Sequence, residues 1–455
     1  MENPNPVANN PKDYNATSTN RQEDYSNSTV QSNPKFNIDN LNKRRNKLVA
    51  KVLEASDVYN NILLEFATGT GKSNCAIQVI KRHYPSTPKI LILIAETSHR
   101  NNWKREFKKF GVGHYLDNCT IECYQSAHKY VNDSYDIIVA DEAHHLLETE
   151  LRLNIAMQLK ASRILFLSAT LKRTQKNTLH FIHKVHLMKV NLSKAVEHEL
   201  LPEFKMVALT LELDCVKKNH IVVVNKKLIK LKEGEQINEN IETLKTVNFN
   251  DRFLPHHKGT PYKMLLTDQE YYLYLRSISE MFRKKSIRDP KTYMDMYLKK
   301  RNEIKKYLGN LKTEYAKELS QKLYNDNQRF ICYCTSIDQA NKLSTDSAVH
   351  SNKSEKVNNQ IIDLFQKGNT NSIYAVSKLV EGVNLDNIDA GIIIQMDNTE
   401  RLFVQKSGRI MRSVAPVCYI LYFKHTIDVD YVTNSLSNID AKFKVKHNFN
   451  EFIKW

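Results

Sequence analysis

The residue types best suited to hold a nucleotide phosphate occur together in one short run. This run follows an apolar segment, Asn61 to Phe66, and precedes a helical pattern that begins at Lys72. Glycines let backbone N–H groups approach phosphate oxygens, and a helix N-terminus adds partial positive charge. A lysine here reaches the β- and γ-phosphates, and the hydroxyl after it binds Mg²⁺. We therefore predict a nucleoside triphosphate site formed by Ala67, Thr68, Gly69, Thr70, Gly71, Lys72 and Ser73.

Two adjacent carboxylates, Asp141 and Glu142, follow another apolar run, Asp136 to Ala140. A parallel strand delivers the side chains at its C-terminal end to the edge where open α/β sheets bind ligands. We assign Asp141, together with Ser73, to Mg²⁺, and we assign Glu142 as the general base for the attacking water. An acidic helix N-terminus would explain the two carboxylates by themselves, but it does not explain why a phosphate loop occurs in the same chain.

The elements that must position these residues are short apolar runs separated by helical or loop segments. Buried parallel strands that alternate with helices are typical of an α/β fold. After the run that precedes the phosphate loop, further runs lie at residues 89–95, 120–124, 135–143 and 163–170. Long charged stretches between about 215 and 327 predict helices, and strand-like runs return at 329–335, 371–377, 390–396 and 417–423. The sequence therefore predicts two α/β lobes.

Composition favours a polyanionic partner. The chain has 67 Lys and Arg against 50 Asp and Glu, a formal charge of +17, although a genome that encodes many lysines would also produce this balance. No apolar run approaches the roughly 20 residues of a membrane-spanning helix. The N-terminus lacks the basic and apolar regions of a signal peptide, so we expect no membrane contact, reduced cysteines and a cytoplasmic location, the host cytoplasm if the protein is viral.

Four motifs together resemble a known family. ATGTGKS at 67–73, DEAH at 141–144, SAT at 168–170 and QKSGRIMR at 405–412 resemble motifs I, II, III and VI of the superfamily 2 helicases, in the family's order. The resemblance spans roughly residues 41 to 430. It is greatest to DEAH-box DNA helicases of phages and of type III restriction enzymes, the Res subunit type. The family's adenine-reading Gln is not evident, since residues 43–47 read KRRNK.

The resemblance implies two RecA-like domains, each a parallel sheet flanked by helices, with ATP and Mg²⁺ in the cleft between them. Three residues of the second domain would then face the nucleotide, and the two arginines would stabilise transition-state charge on the γ-phosphate. These residues are Gln405, Arg409 and Arg412. The resemblance also assigns coupling between ATP and nucleic acid to Ser168, Thr170 and Gly382.

The implied domain organisation has four parts. Residues 1–37 are poor in aliphatic residues and rich in Asn, Ser and Pro, so we expect a disordered N-terminal arm. Residues 38–205 form the ATP-binding domain, and 206–327 form a linker and a basic helical insertion. Residues 328–455 form the C-terminal RecA-like domain.

The basic insertion is the candidate nucleic-acid segment. Between Met281 and Thr313, eleven basic residues and three acidic ones give a net charge of +8, with Tyr293, Tyr297 and Tyr307 interleaved. This composition suits contacts to phosphates and stacking on bases, but a solvated helical face with inward-pointing tyrosines explains it equally well. The candidate contacts are Lys284, Lys285, Lys299, Lys300, Arg301, Lys305 and Lys306.

The sequence therefore predicts an ATP-hydrolysing nucleic-acid motor. A DNA helicase that works with replication or recombination proteins is favoured, with little sequence specificity because contacts to phosphates carry no sequence information. A double-stranded DNA translocase that does not separate strands and an RNA helicase remain alternatives. A binding scaffold without catalysis would require a disabled cleft, and the intact catalytic residue types argue against it.

Overall fold

A computed structural model describes most of the two predicted lobes. The described residues are 38–224, 229–230, 243–249, 262–376, 385, 387–396, 408, 410, 415–437 and 439–454. The predicted disordered arm, residues 1–37, lies outside them. So do Gly382, Gln405, Arg409 and Arg412.

The first lobe is built on a six-stranded parallel sheet with the order β3-β2-β4-β5-β1-β6. Its strands come from the predicted apolar runs and from one edge strand that the runs did not indicate. All five residues of β2 are buried, as expected for a strand covered by helices on both faces. The strands are β1 Asn61–Phe66, β2 Ile90–Ile94, β3 Cys119–Cys123, β4 Ser134–Asp141, β5 Lys160–Ser168 and β6 His186–Val190.

Helices connect these strands and cover both faces of the sheet. The α-helices are Ile38–Val58, Lys72–His83, Ser98–Lys109, Glu150–Gln158, Arg173–His183 and Leu192–Glu197. Short 3₁₀ helices are Gly113–Asn118, Tyr124–Lys129 and Ala143–Leu147. In the helix that follows the phosphate loop, Cys75, Ala76, Ile77, Val79 and Ile80 are buried against the sheet. This packing fixes the helix start at the end of β1.

The second lobe is built on a seven-stranded parallel sheet with the order β12-β13-β11-β14-β15-β7-β16. Its strands are β7 Lys205–Leu211, β11 Phe330–Cys334, β12 Ala348–Val349, β13 Ser372–Val376, β14 Ala390–Ile393, β15 Val417–Phe423 and β16 Lys444–Asn448. Its helices are Ile337–Leu343, Glu355–Gln366, Ile427–Leu436 and Phe449–Phe452, with a 3₁₀ helix at Ala441–Phe443. Two parallel sheets flanked by helices confirm the predicted fold class of two RecA-like domains.

The strand β7 departs from the predicted domain boundary. It begins at Lys205, where we expected the first domain to end, and it lies between β15 and β16 of the second sheet. The chain therefore enters the second lobe before the insertion begins, and the insertion leaves from and returns to that lobe.

The insertion is not purely helical. It opens with a three-stranded antiparallel sheet, order β10-β8-β9, made of β8 Lys218–Val224, β9 Ile229–Lys230 and β10 Tyr262–Thr267. The predicted helices follow as Asp268–Arg288, Pro290–Leu311 and Thr313–Asn325. We call the first two helices, joined only by Asp289, the helical hairpin. None of the helices in the described parts of the chain is long and apolar enough to cross a membrane.

Candidate ATP site and nucleic-acid segment

The phosphate loop lies at the C-terminal edge of the first sheet, between β1 and the helix Lys72–His83. The N–H of Ala67 donates to the carbonyl of Val190 on β6 over 2.8 Å, which ties the loop to the sheet. Gly69 and Gly71 have φ values of +88° and +99°, a left-handed conformation that glycine adopts without steric cost. No side chain caps the helix N-terminus at Gly71, and its first turn has no acidic residue. This N-terminus is therefore ready to accept an anion.

Lys72 turns back across the loop. Its Nζ donates to the carbonyl oxygen of Phe66 over 3.0 Å. Desolvation lowers the pKa of Lys72, and the negative charges of Glu142 and Asp141 partly oppose that shift. The lysine thus lies within the electrostatic reach of both predicted catalytic carboxylates.

Asp141, the last residue of β4, is held by three hydrogen bonds. The indole Nε1 of Trp103 donates to its Oδ2 over 3.0 Å, and the N–H of Glu142 donates to its Oδ1 over 3.1 Å. The hydroxyl of Tyr124 donates to its backbone carbonyl over 2.7 Å. Burial raises the pKa of Tyr124 well above its ordinary value, so the phenol stays protonated as a donor. These contacts fix the carboxylate in place, and sequence reasoning did not find the roles of Trp103 and Tyr124.

Glu142 has a φ of +53°, a left-handed conformation that is uncommon for residues other than glycine. The turn directs the chain out of β4 into the 3₁₀ helix Ala143–Leu147. Non-glycine residues in this conformation are concentrated at functional sites, where the surrounding structure imposes the strain. The turn places Glu142 directly after β4, at the C-terminal edge of the sheet.

The predicted coupling residues of the first lobe meet the DEAH segment through His144. The Nδ1 atom of His144 lies 3.5 Å from Oγ of Ser168 and 3.5 Å from a carboxylate oxygen of Glu142. Ser168 is fully buried, and its hydroxyl donates to the carbonyl of Thr170 over 3.0 Å. A chain of polar contacts thus runs from Glu142 through His144 to Ser168 and Thr170.

Arg45, from the helix Ile38–Val58, contacts the phosphate loop directly. Its Nη2 donates to the carbonyl of Gly69 over 2.8 Å. Burial lowers the pKa of Arg45, and the charge of Glu106 opposes that shift. The neighbouring Arg44 forms an ion pair with Glu199. Both arginines belong to the KRRNK stretch, where no adenine-reading Gln is evident, and Arg45 places a cation against the loop.

The second lobe reaches the phosphate loop at Gly408. A Cβ atom added to Gly408 would clash with Cβ of Thr68 and would lie 3.0 Å from its Cγ2 atom. Only a glycine fits this approach. Ile410 packs in the same close manner against Gly391 of β14. Gly408 and Ile410 are the described residues of the QKSGRIMR motif, and of these two Gly408 lies against the phosphate loop.

The first lobe supplies ligands that suit Mg²⁺. Mg²⁺ prefers hard oxygen ligands and is commonly bound by one or two carboxylates together with the phosphates of a substrate. The carboxylate of Asp141 and the hydroxyl of Ser73 offer oxygen atoms, and Lys72 lies within reach of the Asp141 charge. The donor set therefore fits the ion.

The candidate nucleic-acid residues differ in their exposure and in their intramolecular partners. Lys284, Lys285 and Lys306 are exposed. Others have intramolecular partners: Lys299 with Asp295 at 2.7 Å, Lys300 with Glu303 at 2.6 Å, and Arg301 with the hydroxyl of Tyr431 at 2.8 Å. Lys305 is half-buried.

The interleaved tyrosines point partly inward. Tyr307 donates to Oδ1 of Asp268 over 3.3 Å and stacks edge-on against Tyr271, with ring centroids 5.0 Å apart. Tyr293 is half-buried, and its ring lies 5.3 Å below Nζ of Lys285. Lys312, which contributes to the sequence charge of this segment, is fully buried against Asp428 at 2.6 Å. The surface charge of the segment is therefore smaller than the sequence count.

Comparisons with known proteins match both lobes. The model of the type III restriction enzyme res subunit matches residues 35–125 and 117–173, and the model of the helicase conserved C-terminal domain matches residues 311–414. No curated protein matches the chain. The two matched domains support a superfamily 2 helicase, and helicase domains imply an ATP-hydrolysing enzyme.

Solved structures share the fold at low identity. The S. cerevisiae Dbp5 structure bound to RNA and ADP BeF3 has a TM-score of 0.52 and 11% identity, and the match covers 91% of this chain and 95% of that one. A variant of S. cerevisiae Dbp5 with the same ligands has a TM-score of 0.52 and 10% identity, covering 93% and 98%. At these identities the likeness shows a shared fold.

Proposed function

We propose that this protein is a nucleic-acid-stimulated ATPase, and specifically a DEAH-box DNA helicase of phage or mobile-element type. It would act in the cytoplasm with replication or recombination proteins. The observation that carries the proposal is the contact of Gly408 with Thr68, because it brings a segment of the second lobe against the phosphate loop of the first. A cleft built from both lobes can convert ATP hydrolysis into relative domain movement.

In this proposal the first lobe binds and activates the substrates of hydrolysis. The phosphate loop, Ala67 to Ser73, surrounds the phosphates with N–H groups, and Lys72 contacts the β- and γ-phosphates. Asp141 and Ser73 hold Mg²⁺, which neutralises charge on the phosphate oxygens. Glu142 accepts a proton from the attacking water, and the strained turn at this residue sets the direction of its carboxylate.

The second lobe completes the site in the closed state. Arg409 and Arg412 supply positive charge to the γ-phosphate, and Gln405 orients the nucleotide or the water. What supports these roles is the position of Gly408, one residue before Arg409, against Thr68. The proposed domains are the ATP-binding domain, residues 38–205, the linker and insertion, residues 206–327, and the C-terminal domain, residues 328–455, except that β7, Lys205–Leu211, belongs to the second lobe.

Coupling to the nucleic acid would run through the polar contacts behind Glu142. A change in the position of Glu142 on hydrolysis is passed to His144 and from there to Ser168 and Thr170. Gly382 would act similarly in the second lobe. Phosphate contacts come from exposed basic residues of the helical hairpin, so we expect little sequence specificity.

Rates of ATP hydrolysis with single-stranded DNA, duplex DNA and RNA test this proposal. Stimulation by single-stranded DNA, followed by displacement of a strand from a tailed duplex, is the expected result. The variants Lys72→Ala and Glu142→Gln should lose hydrolysis, whereas Glu150→Gln, an exposed carboxylate on the following helix, should retain it. Hydrolysis that no nucleic acid stimulates, or that survives Lys72→Ala, would contradict the proposal.

The same experiment separates the alternatives. The Dbp5 structures contain RNA, which favours an RNA helicase as the second candidate. Stimulation by RNA alone would identify that activity. Stimulation by duplex DNA without strand displacement would identify a double-stranded DNA translocase.

A further inference from the structure

The base of the helical hairpin is fixed at the C-terminal edge of the second sheet. At the end of β11, a Cβ atom on Gly309 would lie 2.7 Å from Cγ2 of Thr335, and Gln339 donates to the Gly309 carbonyl over 2.8 Å. At the ends of β14 and β15, Lys312 donates to Gln395 over 2.8 Å and pairs with Asp428 at 2.6 Å. The hairpin therefore rises from the edge where parallel sheets bind their ligands.

The far end of the hairpin is stabilised by contacts between its own residues. A single residue, Asp289, joins the two helices, and its carboxylate caps the second helix by accepting from the N–H of Thr292 over 3.2 Å. Pro290 occupies the first turn, where its fixed φ suits a helix start. The rings of Phe282 and Tyr293 stack across the two helices with centroids 6.4 Å apart. We call residues 281–298 the hairpin tip.

The hairpin tip exposes an unusual number of large apolar side chains. Five of them have exposed fractions between 42% and 70%: Met281, Ile287, Met294, Met296 and Leu298. Met294 and Leu298 are one helical turn apart and therefore share a face. Five such side chains within 18 residues are a local concentration, and a concentration of exposed apolar side chains marks an interaction surface more often than single scattered ones do.

Basic residues without intramolecular ion pairs lie among these apolar side chains. Lys284, Arg288 and Lys291 are exposed, and none of them forms an ion pair with another described residue. The two acidic residues of the tip are already engaged: Asp295 pairs with Lys299, and Asp289 caps a helix. The charges of the tip that remain for a partner are thus positive. They complement a polyanion and would repel a basic protein surface.

We propose that the hairpin tip binds the junction between single-stranded and double-stranded nucleic acid and separates the first base pair. The apolar side chains stack on the exposed face of that pair, and Lys284, Arg288 and Lys291 hold the phosphates of the parted strands. This role rests on the proposed helicase function and assigns strand separation to an element outside the ATP cleft.

A fluorescent base at the junction tests the role without requiring hydrolysis. A forked duplex carries 2-aminopurine at its first paired position, and its fluorescence rises when the base loses its stacking partner. We expect the wild-type protein without nucleotide to raise this fluorescence on a fork and to leave a blunt duplex unchanged. The variant Ile287→Ser/Met294→Ser/Leu298→Ser should need about tenfold more protein for the same rise, because it lacks the apolar side chains that offset the cost of unstacking a base step.

The matched control is a triple variant of exposed apolar residues on the first lobe, Leu151→Ser/Met157→Ser/Phe181→Ser, which should behave as wild type. ATP hydrolysis stimulated by single-stranded DNA should differ by less than about twofold in the tip variant, because a single strand offers no base pair to stack on. Absence of that stimulation in the wild type would contradict the proposed function. Normal stimulation with no fluorescence rise, or with an equal rise in the tip variant, would overturn the junction role alone.

An exposed apolar tip could instead bind a second copy of the chain. Sedimentation of the free protein tests this alternative. A wild-type dimer that the tip substitutions convert to a monomer would make the tip a self-association surface and would overturn the junction role. A monomer in both cases is expected.

Discussion

Trp103 and Asp141 are joined by a hydrogen bond of 3.0 Å from the indole Nε1 to the carboxylate Oδ2. Trp103 lies on the helix Ser98–Lys109 after β2, and Asp141 is the last residue of the neighbouring strand β4, so the bond joins that helix to the ligand edge of the sheet. Trp103 is 2% exposed and donates nowhere else among the described residues. The tryptophan is therefore a positioning residue for the predicted Mg²⁺ ligand.

We predict that Trp103→Phe weakens the use of Mg²⁺ more than the folding of the protein. The ring still fills the core, but the carboxylate loses its donor, and loss of such a contact typically costs about 10–100-fold in metal affinity or activity. Titration of ATP hydrolysis with Mg²⁺ should show half-activation at a higher concentration. Tyr115→Phe is the control, since it removes a buried hydrogen bond to the Tyr84 carbonyl away from the site. Equal Mg²⁺ dependence in Trp103→Phe and wild type would disprove the positioning role.

A methyl group on Gly408 should separate the two lobes. The added Cβ atom of Gly408→Ala meets Cβ of Thr68 at a distance that real Cβ atoms do not adopt, so the backbones must move apart. We expect weaker ATP binding and a larger radius of gyration in small-angle X-ray scattering. Gly113→Ala, whose new Cβ would make ordinary contact 3.5 Å from Lys108, should leave both unchanged.

Substitutions of Thr68 test whether its Cβ atom is the one that clashes. Thr68→Ala keeps the Cβ atom and should not rescue Gly408→Ala, whereas Thr68→Gly removes it and should restore the radius of gyration. Equal rescue by both substitutions would mean that the clash in Gly408→Ala does not involve Cβ of Thr68.

These two contacts show where prediction from the sequence stops. The run that became β2 is continuously apolar, and β4 contains the apolar run 137–140, so local pattern sufficed to predict buried parallel strands. In the edge strand His186–Val190, half-buried residues alternate with exposed ones, so its hydrophobic pattern is weak. Motif spacing predicted Asp141 and Glu142, but the Trp103 donor and the Thr68 contact depend on chain packing across 38 residues and across two lobes, which no local pattern encodes.

The pattern in the sequence also did not predict the pairing of β7 in the second sheet. Lys205–Leu211 joins β15 and β16, which are about 200 residues further along the chain, and strand pairing over such separations is decided by tertiary packing. Lys312 shows the same limit for charge: the sequence counts it as surface charge, but it is buried against Asp428.

Nucleotide binding should fail at a lower pH in Glu142→Gln than in the wild type. ATP binding needs the cationic form of Lys72, which is lost as the pH rises through its pKa. Desolvation already lowers that pKa, and Glu142 is the largest influence that raises it. Removing the Glu142 charge lowers the pKa further, so the loss of binding moves toward neutral pH.

Equilibrium binding of a fluorescent, non-hydrolysable ATP analogue between about pH 7 and pH 10 measures this shift. Glu150→Gln removes an exposed charge on the next helix and should leave the midpoint in place. A midpoint that is unchanged or higher in Glu142→Gln would show that the two groups do not interact.

Breaking the buried pair of Lys312 and Asp428 should destabilise the second lobe strongly. Lys312→Met leaves the Asp428 carboxylate, 1% exposed, without its cation, and loss of one partner of a buried pair costs about 3–5 kcal/mol. The double variant Lys312→Met/Asp428→Leu removes both charges and should recover most of the free energy of unfolding. Lys299→Met breaks an exposed pair with Asp295 and should change the free energy of unfolding little, because water screens the two charges. Chemical denaturation measures all three, and equal losses at the two sites would contradict the assignment.

The salt dependence of DNA binding should reveal how many hairpin cations contact phosphates. Each phosphate contact releases condensed counterions, which contributes about 0.7 to the slope of log affinity against log salt on a single strand. The variant Lys284→Gln/Arg288→Gln/Lys291→Gln removes three exposed cations that have no ion pairs among the described residues, so the slope should decrease by about 2.

The control variant for this measurement removes the same number of charges from the opposite side of the sheets. Lys89, Lys160 and Lys205 lie at or just before the starts of β2, β5 and β7, away from the C-terminal edge that carries the site. Lys89→Gln/Lys160→Gln/Lys205→Gln should change the slope little, because only cations within contact of the DNA release its counterions. Equal reductions in both triple variants would show that net charge governs binding, and that the hairpin cations belong to a solvated face.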